Sequence, residues 1–69
     1  MTSFSTYADA GFALVVEHRE GRFKLTEKGG SFCGQLIAGM EHLSDRQHSW
    51  LTTLLDKAGL PGVDQREAA

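Results

Sequence analysis

The segment from Ser44 to Pro61 carries both a start signal and a stop signal for a helix, and it constrains the fold more strongly than any other part of the chain. Ser44 is followed three residues later by Gln47, the capping-box pattern in which each side chain accepts a hydrogen bond from the other residue's backbone N–H. Gly59 fits the first position beyond a helix, and Pro61 cannot continue one. The segment therefore predicts a helix over 44–58. Its inward face would comprise Gln47, Trp50, Leu51, Leu54, Leu55 and Ala58.

A second helix is predicted just before the first. The glycine pair at 29–30 indicates a hinge, Ser31 fits an N-cap, and apolar residues then recur at helical spacing. Gly30, Gly34 and Ala38 form a narrow strip along this helix, where another backbone could approach closely. The two helices would join with almost no loop, as an αα-hairpin or corner. The apolar stripe comprises Phe32, Leu36, Met40 and Leu43, with Cys33 and Ile37 beside it.

Residues 12–26 show apolar alternation with a period of two on either side of Glu20 and Gly21. Such alternation around an x-Gly pair predicts a β-hairpin, in which Gly21 supplies the positive φ of the turn. The register that follows makes Glu17 and Lys24 an opposite-charge pair across the two strands. On this interpretation the fold class is α+β, a β-hairpin packed on an αα-hairpin.

The same region also contains a helical pattern. Apolar residues at i, i+3 and i+4 predict, as the alternative, a helix over 3–20 that Gly21 would end. Gly11 and the β-branched pair Val15-Val16 lower the helix propensity of this stretch, so we favour the hairpin. The residues that carry the helical pattern are Phe4, Tyr7, Ala8, Phe12 and Val15.

The size and composition of the chain limit its organisation. Its 69 residues suffice for one domain, which we predict as an N-terminal arm or short helix over 1–11, a single α+β domain over 12–60 and a mobile tail over 61–69. The one cysteine cannot form an internal disulfide, and no apolar run is long enough for a secretion signal or a membrane span. We expect a cytoplasmic protein without a membrane partner. So small a core favours help from a partner surface, either a second copy in a homodimer or a larger complex.

Few residues could support catalysis or hold a cofactor. Cys33 could act as a nucleophile with His42 or His48 as its base, but a small buried side chain on a helix face is the simpler interpretation of Cys33. The three histidines and the cysteine lack the spacing of zinc ligands. The glycines match neither a P-loop nor a dinucleotide motif. We therefore expect a protein that is not an enzyme and that binds no metal and no cofactor.

Two stretches resemble known families. Residues 22–29, RFKLTEKG, resemble the end of the wing and the following segment of winged-helix repressors of the multiple-antibiotic-resistance type, in which a hairpin runs into a helix. Such repressors carry a recognition helix before the hairpin, and only 11 residues precede the hairpin predicted here, so we expect no complete winged helix and transfer no DNA-reading residue. Residues 31–54 look like a helical segment of small accessory proteins of phage and prophage, which implies a mobile-element protein. This second resemblance rests on Ser31-Phe32, Leu36, Leu43-Ser44-Asp45, Gln47, Trp50-Leu51 and Leu54.

The distribution of charge separates two functional hypotheses. Residues 18–28 are the only segment with a local excess of positive charge, although the formal net charge of the chain is −2. The cations of this segment could bind nucleic-acid phosphates, but an acidic protein is repelled by nucleic acid at long range. Nucleic-acid binding by the hairpin is therefore the alternative hypothesis. Its candidate residues are Arg19, Arg22, Lys24 and Lys28.

The favoured hypothesis is a small protein-binding module that docks on a larger protein or protein complex. The size, the acidic charge and the resemblance to phage proteins indicate an inhibitor or adaptor of a mobile element, with a profile similar to that of anti-CRISPR proteins. Its interface would lie on the two predicted helices. The candidate interface residues are Gly34, Glu41, Asp45 and Asp56.

Overall fold

Three helices and no sheet make up the part of the chain that the structure describes. The computed structural model describes residues 3–40 and 42–63. Within these residues the only extended pairing is one isolated parallel bridge, between Phe4 and Val63. The predicted α+β class with its β-hairpin is therefore wrong, and the described chain is all-α. Its helices are α1 (Tyr7–Arg19), α2 (Glu27–Ile37) and α3 (Asp45–Lys57).

Helix α1 occupies the region where the first strand was predicted. Its first turn is capped by the Thr6 hydroxyl, which accepts from the backbone N–H of Asp9 at 3.1 Å. The strand pattern required Phe12 and Leu14 on one buried face, but Leu14 is fully buried while Phe12 is 59% exposed. The buried positions instead follow the period of a helix, which the alternative interpretation predicted, but of the apolar residues on which that interpretation rested only Tyr7 is buried. The buried positions are Tyr7, Ala10, Gly11 and Leu14.

All three helices begin and end in the same way. At each N-cap a Thr or Ser side chain accepts from the backbone N–H three residues later; the pairs are Thr6–Asp9, Thr26–Gly29 and Ser44–Gln47. After each C-cap comes a glycine with positive φ, and the residue after that glycine donates to the carbonyl five residues back, a Schellman motif. The capping box at Ser44 is confirmed. The three glycines are Gly21, Gly39 and Gly59, with φ of 80°, 113° and 72°.

Helix α2 begins and ends earlier than predicted. Thr26 is its N-cap, so Ser31 lies inside the helix as an exposed residue rather than at its start. The helix ends at Ile37, and a connecting segment leads to Ser44 where almost no loop was expected. Leu43, predicted to be helical, lies in this segment and is still only 3% exposed. The apolar stripe therefore identifies Leu43 as a core residue correctly, although the observed helix ends six residues before it.

Helices α1 and α2 pack closely at Gly11. A Cβ atom added there would lie 3.0 Å from the carbonyl oxygen of Cys33 and 3.1 Å from Cβ of Leu36. Glycine lets the two backbones approach at this crossing, because any side chain would separate them. Around this contact, ten buried apolar side chains of residues 3–40 and 42–63 form the core. They are Tyr7, Ala10, Leu14, Leu25, Phe32, Cys33, Leu36, Leu43, Leu51 and Leu55.

Helix α3 joins the pair through its buried face and two ring contacts. Leu51 and Leu55 are 0% and 1% exposed. The ring of Tyr7 on α1 meets His48 edge-on, with centroids 6.1 Å apart. The ring of Phe32 on α2 stacks on Trp50, with centroids 4.7 Å apart. Trp50, predicted on the inward face, thus has one face covered and remains 36% exposed.

The two ends of the described chain lie side by side. The backbone N–H of Phe4 donates to the carbonyl oxygen of Gly62 at 2.8 Å. Residues of the predicted arm and of the predicted tail therefore contact each other, while the tail from residue 64 onward lies outside the described residues. Across residues 3–40 and 42–63, no helix has both the length and the apolar character that crossing a membrane requires.

Candidate binding surfaces

The cations predicted to bind nucleic acid lie at the corner where α1 turns into α2. Arg19 ends α1, Arg22 and Lys24 lie in the connecting segment, and Lys28 is in the first turn of α2. All four are exposed, whereas Leu25 is only 8% exposed. We call this region the basic corner. It brings the four cations to one end of the molecule, on a loop between helices rather than on a hairpin.

One of these cations already has a partner. The guanidinium of Arg22 holds both carboxylate oxygens of Glu17, with nitrogen–oxygen distances of 2.6, 3.0 and 3.1 Å. The predicted pairing of Glu17 with Lys24 is wrong because α1 ends in a Schellman turn, which returns the Arg22 backbone N–H to the Glu17 carbonyl at 3.0 Å. The hydrogen bonds from Arg22 hold the pKa of Glu17 below its usual value. The basic corner thus keeps fewer uncompensated cations than the sequence suggests.

A small pocket adjoins the basic corner. Its volume is about 200 Å³, and its lining residues are His18, Gly21, Phe23 and Lys24. The backbone N–H of Leu25 donates to Nδ1 of His18 at 3.0 Å, so the ring proton of the neutral imidazole is on Nε2. The predicted hairpin placed His18 in a strand, but it is an exposed residue of the last turn of α1. Because the ring accepts at Nδ1, its remaining polar group is a hydrogen-bond donor.

The predicted protein-interface residues lie on two helices and are not brought together. Gly34 is exposed on α2, and a Cβ added there would meet nothing within 4 Å. Asp45 and Asp56 are exposed at opposite ends of α3. Eleven residues separate them, so they lie on one side of that helix and about 16 Å apart. Glu41 lies outside the described residues.

Among the described residues three large apolar side chains are exposed, a feature that the sequence analysis missed. Phe12 is 59% exposed on α1, Ile37 41% on α2 and Trp50 36% on α3. The helical phase of α1 could have revealed Phe12, because it lies two residues from both Ala10 and Leu14 and therefore points about 160° away from these buried residues. Both interpretations of the sequence missed this, since the alternating pattern assigned Phe12 to a buried strand face and the helical alternative counted it among its apolar residues.

The exposed face of α2 carries no charge beyond its first turn. No Asp, Glu, Lys or Arg occurs from Gly29 to Met40. We call the exposed residues of this stretch the uncharged face. Its members are Ser31, Gly34, Gln35, Ile37, Ala38 and Gly39.

Cys33, the one candidate nucleophile, is fully buried. Desolvation by burial raises the pKa of its thiol to about 11, so the thiol is protonated at neutral pH and is a poor nucleophile. In the part of the chain that the structure describes, no three His, Cys, Asp or Glu residues form a group that could hold a metal ion.

Comparison with the profiles of known protein families, with curated proteins and with solved structures finds no match. The resemblances of residues 22–29 and 31–54 therefore stay predictions. Residues 22–29 run through the α1–α2 connection into the first turn of α2, without a hairpin. What the chain does has to be inferred from the surfaces of its three helices.

Proposed function

We propose that the chain is a small protein-binding module that docks on a larger protein complex through the uncharged face of α2. The observation that carries this proposal is that the exposed side of α2 lacks charge from Gly29 to Met40 and includes Ile37 at 41% exposure. The centres of protein interfaces are depleted of charged residues. A solvent-facing helix normally places charged residues on its exposed side, and beyond its first turn, which carries Glu27 and Lys28, α2 does not.

The identity of the partner is part of the same proposal. The resemblance of residues 31–54 to phage accessory proteins supports an inhibitor or adaptor of a mobile element, acting in the cytoplasm of its host. A second copy of the chain is the competing occupant, since Gly34 leaves room for a close helix contact.

A single charge placed on the uncharged face tests the proposal. Gly34→Lys should leave the fold intact, because a side chain at Gly34 meets nothing and helix propensity increases. Ser49→Lys is the matched variant on the exposed side of α3, between Asp45 and Asp56. Wild type and both variants are immobilised and exposed to host extract, and the captured proteins are identified by mass spectrometry. Sedimentation at several concentrations measures self-association of the same three proteins.

We expect Gly34→Lys to lose a partner that wild type and Ser49→Lys retain. Self-association that only Gly34→Lys abolishes would make the partner a second copy of the chain. Loss in Ser49→Lys alone would move the interface to the side of α3 that carries Asp45 and Asp56. Identical capture and identical sedimentation of all three proteins would overturn the proposal.

Nucleic-acid binding by the basic corner is the second candidate. The exposure of Arg19, Lys24 and Lys28 at one end of the molecule favours it, while the ion pair of Arg22 with Glu17 weighs against it. Replacing all four corner cations by Gln should abolish any DNA binding that wild type shows at low salt. Such binding should fall with salt by roughly 0.9 logarithmic units per phosphate contact and decade of salt concentration. Wild type without salt-sensitive binding to single- or double-stranded DNA would exclude this candidate.

A further inference from the structure

The pocket beside the basic corner is small, and both polar and aromatic side chains line it. Its volume of about 200 Å³ is below the roughly 300–1,000 Å³ typical of pockets for drug-sized ligands. A single ring or one side chain is therefore the size of group that fits. Phe23, half-buried, supplies an aromatic wall. Gly21 leaves its part of the lining open, since it has no side chain and a φ of 80° that L residues rarely adopt.

The two polar side chains that line the pocket, His18 and Lys24, can donate to a ligand. His18 uses Nδ1 to accept from the Leu25 N–H, which leaves Nε2–H as the group that it can offer to a ligand. Lys24 contributes an exposed ammonium group. The carboxylate of Glu17, which could compete for Lys24, is held by Arg22 instead. The lining therefore offers one positive charge and one neutral donor beside an aromatic ring.

We propose that this pocket binds a carboxylate carried on a ring-sized apolar group. The carboxylate accepts from Nε2 of His18 and from the ammonium group of Lys24, and the ring packs against Phe23. One cation and one neutral donor match the single negative charge of a carboxylate. A phosphate group carries close to two negative charges at pH 7, which the one cation of this lining does not balance. Two kinds of ligand carry such a carboxylate beside a ring: a free aromatic acid and the carboxyl terminus of a peptide.

The test uses benzoate as the probe, followed by amide chemical shifts of the ¹⁵N-labelled chain. We expect saturable shifts centred on Gly21, Phe23, Lys24 and Leu25. Benzamide has the ring without the charge, and acetate has the charge without the ring. Each should bind at least about tenfold more weakly, because each lacks one of the two contacts. Benzamide or acetate binding as well as benzoate would overturn the proposal, as would the absence of saturable shifts with benzoate.

Matched lysine variants locate the site. Lys24→Gln should weaken benzoate binding by about tenfold, the effect of losing one hydrogen bond to a charged group. Lys28→Gln removes an exposed cation of the same corner that does not line the pocket, and it should bind as wild type does. Gly34→Lys should also bind normally, so failure of this proposal is distinguishable from failure of the docking proposal. Equal weakening by Lys24→Gln and Lys28→Gln would indicate general attraction to a basic surface and would contradict a built site.

A second pair of probes separates the two sources. One is a tripeptide ending in phenylalanine with a free carboxyl group, and the other is the same peptide amidated. Tighter binding of the free-acid peptide than of benzoate would assign the pocket to a chain terminus. Tighter binding of benzoate would assign it to a small acid in solution.

Discussion

Gly11 and Gly34 both lie inside helices, but the internal packing needs only one of them. A Cβ on Gly11 would come within 3.0 Å of a backbone carbonyl oxygen, whereas a Cβ on Gly34 would meet nothing within 4 Å. A backbone atom cannot move aside as the end of a flexible side chain can. Gly11 is therefore required by the contact between α1 and α2, while Gly34 lowers helix propensity without a compensating contact among the described residues.

Alanine at these two positions should act in opposite directions. Gly11→Ala is expected to lower the free energy of unfolding by about 1–3 kcal/mol through steric strain, in spite of the gain in helix propensity. Gly34→Ala should raise it by about 0.5–1 kcal/mol. Urea denaturation of both variants measures the difference. A stabilised Gly11→Ala would show that α1 and α2 do not approach as closely as described.

The buried thiol of Cys33 should react slowly in the folded protein, and it should make the stability of the fold sensitive to alkali. Burial raises the pKa of its thiol from 9.0 to about 11. Because the pKa of the thiol is higher in the folded state than in the unfolded state, the free energy that the buried, protonated Cys33 contributes to folding is fully present below pH 9.0. It is lost as the pH rises towards about 11. We expect slow labelling by a thiol reagent in buffer and rapid labelling in urea.

Cys33→Ala is the control for the alkaline range, because it removes the thiol and leaves every other titrating group. The stability of wild type relative to Cys33→Ala should decrease with rising pH. Rapid labelling under native conditions would contradict the burial of this side chain.

The two candidate N-caps of α2, Thr26 and Ser31, allow a direct test of where this helix begins. Thr26 accepts from the backbone N–H of Gly29 at 3.0 Å, whereas Ser31 lies inside the helix and is exposed. Thr26→Ala should therefore lower the free energy of unfolding by about 1 kcal/mol, as should Ser44→Ala at the start of α3. Ser31→Ala should change it by no more than a few tenths, towards greater stability. The reverse order in thermal or urea unfolding would place the start of α2 at Ser31.

The ion pair at the end of α1 predicts a specific acid sensitivity. Arg22 holds the pKa of Glu17 below its usual value of 4.5. Because the pKa of Glu17 is lower in the folded state than in the unfolded state, the ion pair stabilises the fold above pH 4.5. This contribution is lost as the pH falls through the folded-state pKa. Arg22→Gln should therefore melt below wild type at neutral pH, and the two melting temperatures should converge on acidification. A difference that persists at low pH would assign the role of Arg22 to packing rather than charge.

The elements differed in how far the sequence predicted them, for physical reasons. Helix α3 was predicted because its signals at Ser44, Gln47 and Gly59 are local and mutually consistent. Helix α1 was the less favoured alternative because Gly11 lowers helix propensity, and the close packing on α2 that requires this glycine is not visible in a sequence. At the start of α2, Thr26 and Ser31 both fit an N-cap, and only the packed structure selects between them.

The candidate sites were predicted unevenly for a related reason. The position of the basic corner follows from counting charges over residues 18–28. The compensation of Arg22 by Glu17 does not, because it depends on the turn that ends α1 and brings Arg22 back to Glu17. Predicting the exposure of Phe12 would have needed both the period and the buried face of α1. Predicting the pocket would have needed both the turn at Gly21 and the hydrogen bond to His18.

For the molecule as a whole, the absence of a hairpin over residues 12–26 is the most direct expectation to check. Carbon chemical shifts should indicate helix continuously over Tyr7–Arg19, and slow amide exchange should cover consecutive residues there. A hairpin would protect alternate amides, since only every second residue of an outer strand is paired to its neighbour. Far-ultraviolet circular dichroism should show the two minima of a helical protein. Alternating protection across 12–26 would restore the α+β fold.

The hydrogen bond from the backbone N–H of Phe4 to the carbonyl oxygen of Gly62 holds the two ends of the described chain next to each other. A unit whose entry and exit points are neighbours can be spliced into a surface loop of another protein, because its two junctions need span only the width of that loop. The entropy of bringing the junctions together has already been lost in the folding of the unit itself. The same geometry favours circular permutation: the chain could be joined between Val63 and Phe4 and opened at the exposed turn after α2, where Gly39 lies.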